Sequence, residues 1–145
     1  MKKFSILFSM LMAFMLPFLF AACTSAPIAT MESFTLHEAY EAGLLTVEDL
    51  ETLSHFPTAT IDETIETAIK ASYAAEHNQQ WDTTYTASDI RLLGYFGEYH
   101  GLYAARLLPY DVDVAAVEIE EDIGGVHFIY GQAPKITVWC AIEPQ

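Results

Sequence analysis

Apolar residues recur at three- and four-residue intervals from Leu36 to Tyr73, and from Ile90 onward they recur at every second position. The first period is that of an amphipathic helix and the second that of a half-buried strand. The change divides the chain into a helical part followed by a stranded part.

The helical part holds three start signals. Thr35 with Glu38 three residues on has the capping-box spacing and opens a short helix over Leu36–Ala42, with Gly43 as its left-handed stop. Thr46 with Asp49 repeats the device, and Leu45 and Leu50 have the spacing of a hydrophobic staple. This second helix runs to about His55, before Pro57. Thr60 with Glu63 predicts the start of a longer helix with Ile61, Ile65, Ala68, Ile69, Ser72 and Tyr73 on one face. Glu66 and Lys70 pair across one turn outside, and Asn78 is read as the stop. Residues 78–89 are polar and read as a loop that Trp81 pins down.

In the second part the predicted strands cover 90–99, 102–108, 114–121, 126–131 and 135–141. His100-Gly101, Gly124-Gly125 and the run Gly131-Gln132-Ala133-Pro134 are the turns. Short connections imply an antiparallel meander. Val117 and Ile119 alternate with Glu118 and Glu120, so one sheet face is expected to be wet. The expectation is an α+β fold: two short helices and one longer amphipathic helix on one face of a four- to five-stranded meander.

The first residues follow another pattern. Lys2 and Lys3 precede an apolar run from Phe4 to Phe20, then Ala21, Ala22 and Cys23. This reads as a secretory signal peptide. Leu19-Phe20-Ala21-Ala22-Cys23 resembles a bacterial lipobox, in which the cysteine thiol receives lipid and becomes the mature N-terminus. The expected organisation is a lipoprotein signal over 1–22, a lipidated Cys23 and tether over 23–33, and one α+β domain over 34–145. Ordinary cleavage after Ala22 or Ala26, giving a secreted protein, and an uncleaved membrane anchor are the alternatives.

Composition changes the picture in one respect. The chain carries 6 Lys+Arg against 20 Asp+Glu, a formal charge of −14. Loss of residues 1–22 removes two lysines and no acid, leaving 123 residues at −16. The acid excess argues against nucleic acid and favours a basic or neutral partner. If Cys23 carries lipid, Cys140 is the sole remaining thiol; if not, a Cys23–Cys140 bridge is open in an oxidising space. Alternation places Cys140 on the side of Ile136 and Val138 as a buried, inert thiol.

Motifs for chemistry are sparse. His37 and Glu41 share a helix face without a third ligand, and Asp111-Val112-Asp113 lacks the oxygens and glycine of a calcium loop. No Gly-x-Ser-x-Gly turn or phosphate loop occurs, and no metal or cofactor is expected. Five histidines, at 37, 55, 77, 100 and 127, are scattered over the chain. The most distinctive segment is Tyr95-Phe96-Gly97-Glu98-Tyr99-His100-Gly101. Strict alternation puts Tyr95 and Tyr99 on one face and Phe96 and Glu98 on the other, with Gly97 marking a bulge. Tyr95, Glu98, Tyr99, His100 and Tyr103 are the candidate interaction patch, against the plainer reading of a glycine-bent strand whose aromatics pack the core.

Two segments carry a resemblance. Phe34-x-Leu36-x-Glu38-Ala39-Tyr40-x-x-Gly43-x-Leu45-Thr46-x-x-Asp49-Leu50, together with Tyr95-Phe96-Gly97-x-Tyr99-x-Gly101, resembles motifs of small uncharacterised bacterial lipoproteins. The resemblance implies a location in the cell envelope and no known activity. The functional expectation is a lipid-anchored extracytoplasmic module that binds a protein or peptide. The alternatives are a small envelope hydrolase using His100 or His127 with nearby acids, and a structural envelope component.

Overall fold

Both threonine caps act as the sequence predicts. In the computed structural model, which describes residues 30–142, Thr35 opens helix α1 (Leu36–Glu41) and Thr46 opens α2 (Val47–Leu53). Each threonine hydroxyl accepts from the third helical N–H, and the side chain of Glu38 or Asp49 accepts from the cap N–H in return. Helices of six and seven residues are not stable alone, so their burial must hold them. Leu36, Ala39, Leu45, Leu50 and Leu53 are all buried.

The long helix α3 (Glu63–Trp81) departs from expectation at both ends. Its cap is Asp62, not Thr60: the Asp62 carboxylate accepts from Thr64 N–H at 2.8 Å and Ile65 N–H at 3.3 Å. Residues 57–61 stay outside the helix, where Ala59 N–H bonds the Tyr95 carbonyl. At the far end the helix passes Asn78 and stops at Asp82, which takes the left-handed conformation. Asn78 holds the following loop instead: its amide donates to the Tyr85 carbonyl, and its oxygen accepts from Tyr85 N–H and the Thr83 hydroxyl.

Six strands follow the expected pairings only in part. They are β1 (Thr30–Thr35), β2 (Ile90–Tyr99), β3 (Leu102–Pro109), β4 (Ile119–Ile123), β5 (Val126–Tyr130) and β6 (Thr137–Ile142). The main sheet has the order β1-β6-β3-β2, all antiparallel, and β4-β5 forms a separate ribbon. A simple meander would have run on from β3 to β4; here the chain makes the ribbon first and β6 returns to pair with β3. Residues 114–118 are irregular, so the strand expected at 114–121 begins only at Ile119. Residues 30–33, expected as tether, form most of β1, with Met31 buried.

The α+β class therefore holds; the expected wet face is confined to the β4–β5 ribbon, where Glu120, Asp122 and His127 are exposed, and the main sheet is covered on both faces rather than on one. In β6, Val138 and Cys140 point to one side with Phe96, Leu102 and Ala104, and Trp139 points to the other with Met31, Ala105 and Leu107. The second side is covered by α3 through Ala68, Ile69 and Ala74. The first is covered by α1, α2 and the ribbon, through Leu36, Leu50, Phe128 and Tyr130. Strands buried on both sides need apolar residues at successive positions, as Val138 and Trp139 show.

Both sheet edges are blunted. On β1 the three alternate N–H groups that face away from β6 each meet a side chain. Met31 N–H donates to Ser72 Oγ at 2.9 Å, Thr35 N–H donates to Glu38 Oε1 at 2.9 Å, and Ser33 N–H faces the Glu76 carboxylate. On β2 the pairing slips between Leu92 and Gly94 and again between Tyr95 and Gly97. Bulges and side-chain caps of this kind stop an edge from recruiting a further strand.

Candidate functional site

Where α3 crosses β1 and β6, two shallow clefts flank Glu76. One, of about 270 Å³, lies against Met31, Ser72 and Gln79; the other, of about 190 Å³, is lined by aromatic side chains. Tyr73, His77 and Trp81 lie four residues apart on α3 and form a ladder on one helix face. The Tyr73 and His77 rings stack at 6.0 Å, His77 and Trp81 lie at 6.3 Å, and Tyr73 meets Trp139 at 6.4 Å. Trp139 is 1% exposed and forms the floor, whereas Trp81 is 63% exposed and forms the rim.

The polar groups of this second cleft are tied in a definite sense. The Ser33 hydroxyl donates to Glu76 Oε1 at 2.8 Å, and the Trp139 indole N–H donates to Thr137 Oγ1 at 3.1 Å. Thr83 donates its one hydroxyl proton to Asn78 Oδ1, so at 3.0 Å it must accept from His77 Nδ1. Neutral His77 is thus the Nδ1–H tautomer, and its Nε2 carries a lone pair. That Nε2 has no partner among the described residues and is not a buried orphan, so solvent or a ligand can reach it. Burial raises the Glu76 pKa above the usual carboxylate value; the Ser33 hydrogen bonds oppose the rise and the Glu32 charge adds to it. Burial also raises the Tyr73 pKa.

The residues singled out from the sequence lie elsewhere, at the β2–β3 turn. The slip at Gly97, whose φ is +113°, reverses the alternation. Tyr95 and Tyr103 consequently face α3, while Tyr99 and Phe96 face the opposite core. The five residues are therefore split between two faces. Several have local partners: Tyr99 donates to the Phe96 carbonyl at 2.8 Å, Glu98 Oε2 accepts from Gly101 N–H, and His100 Nε2 lies 3.0 Å from Asp49 Oδ2. Burial is the main cause that raises the pKa of Tyr95, Tyr99 and Tyr103. Among the described residues His100 and Asp49 join the hairpin to α2.

His127 sits on the outer side of the ribbon. Its Nδ1 is 2.7 Å from Asp122 and its Nε2 3.3 Å from Glu120. The hydrogen bond that His127 donates to Asp122 is the first cause of its raised pKa. Neither His100 nor His127 lines either cleft. Among the described residues no three His, Cys, Asp or Glu side chains form a group able to hold a metal ion, and no helix is long and apolar enough to cross a membrane. Cys140 is half-buried on the side predicted, and burial followed by the Glu32 charge raises its pKa. Cys23 and the signal segment lie outside the described residues.

The aromatic cleft was missed for one reason. Residues 73, 77 and 81 have helical spacing, but a helix stopped at Asn78 sends Trp81 into a loop. No family model, no curated protein and no solved structure matches the chain. The reading of the site rests on its own chemistry.

Proposed function

We propose that the protein is a lipid-anchored extracytoplasmic binding module, held to a bacterial envelope membrane through Cys23, whose aromatic cleft receives a protein or peptide partner. The observation that carries this reading is the exposed Trp81 at the end of a ladder whose other rings are packed. A large aromatic left in water beside a cleft is what recognition surfaces use, because it offers contact area at little entropic cost.

The N-terminal sequence supports the anchor: two lysines, an apolar run, and Ala21-Ala22-Cys23. With β1 starting at Thr30, the tether shortens to residues 24–29, which at full extension reach roughly 20 Å. The module then sits close to the membrane. The hydrolase alternative rests on His100 with Asp49 and on His127 with Asp122 and Glu120, and both histidines are exposed and outside the clefts.

Fractionation tests the anchor: Cys23→Ala should leave unprocessed precursor or release the protein from the membrane fraction. Crosslinked pull-down from the native envelope tests the site. A partner recovered with the unaltered protein should be lost with Trp81→Ala; equal recovery by both would remove the cleft from the account.

A further inference from the structure

We infer that the aromatic cleft takes a cationic side chain, the ammonium of lysine or the guanidinium of arginine in a basic peptide, seated against the exposed Trp81 ring beside Glu76. This rests on the binding-module reading and names its ligand.

The first argument is the sense of the hydrogen bonds. The donors of Ser33, Trp139 and His77 Nδ1 are committed to Glu76, Thr137 and Thr83. The Thr137 hydroxyl is directed to the Ala105 carbonyl at 3.4 Å. Two acceptors stay open, the Glu76 carboxylate and the His77 Nε2 lone pair, beside three donors without a partner among the described residues, the Tyr73 hydroxyl, the Gln80 amide and the Trp81 indole N–H. A carboxylate keeps further lone pairs after accepting from Ser33. An ammonium or guanidinium is a donor without acceptors, so it pairs with Glu76 and leaves the three donors to solvent. An acidic ligand meets Glu76 directly.

The second argument is the ring faces. Tyr73 is packed against His77 and Trp139, so the exposed Trp81 offers the open face, and a cation within about 6 Å of its centroid gains the electrostatic attraction of the ring in addition to packing of its methylene stem.

The third is charge. No lysine or arginine lines either cleft. The four cations among the described residues are engaged elsewhere: Lys70 with Glu66, Lys135 with Glu121, Arg91 with the Val112 carbonyl, and Arg106 with the Gln132 and Pro134 carbonyls. The Glu76 charge therefore has no internal counter-ion, and the formal −14 of the chain steers cations inward.

The test uses the full chain in detergent micelles with four probes: pentalysine, pentaglycine, pentaglutamate and chitohexaose. Titration at 150 mM salt, followed by tryptophan fluorescence and calorimetry, compares the unaltered protein with Trp81→Ala, Glu76→Gln and Glu118→Gln. Glu76→Gln keeps an acceptor for Ser33, and Trp81 is exposed, so both variants should fold; circular dichroism checks this. Pentalysine should bind, weakening about threefold to fivefold in Trp81→Ala and about threefold to tenfold in Glu76→Gln, with Glu118→Gln within twofold. Equal weakening by Glu76→Gln and Glu118→Gln would mean diffuse attraction and overturn the inference. Pentaglycine binding as tightly as pentalysine would overturn the cation preference and leave the binding module standing. Binding of chitohexaose alone, or of no probe, would overturn both.

Discussion

Ser72→Ala is the sharpest test of how the sheet edge is closed. Ser72 is buried in the middle of α3, and its hydroxyl accepts the Met31 N–H at 2.9 Å. Alanine keeps the helix and removes only the acceptor. The Met31 N–H, turned away from β6, is then left without a partner. An unsatisfied buried donor costs about 1–3 kcal/mol. Ser72 lines the larger cleft, so a water entering there sets the lower end of that range. For a domain of this size, 1 kcal/mol corresponds to about 4 °C in Tm, so the expected loss is about 4–12 °C. Thermal unfolding by circular dichroism reads the shift, and amide exchange reads its place. The Met31 amide should exchange faster while Val138 stays protected. A Tm within 1 °C of the parent, with unchanged protection at Met31, would refute the edge-capping argument.

Two further outcomes follow from the ribbon and its turn. A Cβ at Gly124 would lie 2.8 Å from Tyr40 Cζ, and its φ is +58°, whereas Gly125 has a φ of +84° and open space around it. Gly124→Ala should cost about 2–4 kcal/mol and Gly125→Ala about 1–2 kcal/mol; equal losses in chemical denaturation would mean that Tyr40 is not seated on the turn. His127 should titrate above the ordinary value of 6.5, because Asp122 and Glu120 favour the imidazolium. A raised folded pKa gives a stabilising contribution that is complete below the unfolded value and is lost as pH rises through the folded one. Asp122→Asn should bring the His127 midpoint, followed by NMR, down; an unmoved midpoint would contradict the pairing.

Much of the fold is legible in the sequence because local signals decided it. The two capping boxes, the Leu45–Leu50 pair and the strands at 90–99 and 102–108 depend on neighbours within a few residues, and each appears as expected. The failures share a cause, which is competition from distant partners. Thr60 has a valid capping spacing, but the 57–61 segment is held against β2 and Asp62 caps instead. Residues 30–33 look like polar linker, yet they pair with β6, and Ser72 and Glu76 supply acceptors on their open side. The second buried face is invisible to a period-two reading, since Leu102 to Leu107 mixes apolar residues on both sides. The tyrosine segment shows the same limit at the site. Gly97 announces a bulge, but only the pairing register reveals that it sends Tyr95 and Tyr99 to opposite faces. The aromatic cleft was readable in the four-residue spacing of Tyr73, His77 and Trp81, once the helix is allowed to run past Asn78.

The central claim is that the α3 cleft, and not the β2–β3 turn, is the recognition surface of the anchored protein. A photo-crosslinking amino acid placed at Gln80, which lines the cleft and is exposed, or, in a separate strain, at His100 tests it in the native envelope. Trp81 is kept in both strains, and because the second substitution removes the His100–Asp49 bond, circular dichroism checks that each variant keeps the fold. The account predicts a discrete adduct from position 80 that pentalysine competes away, and none from position 100. An adduct from position 100 alone, or from neither, would contradict it.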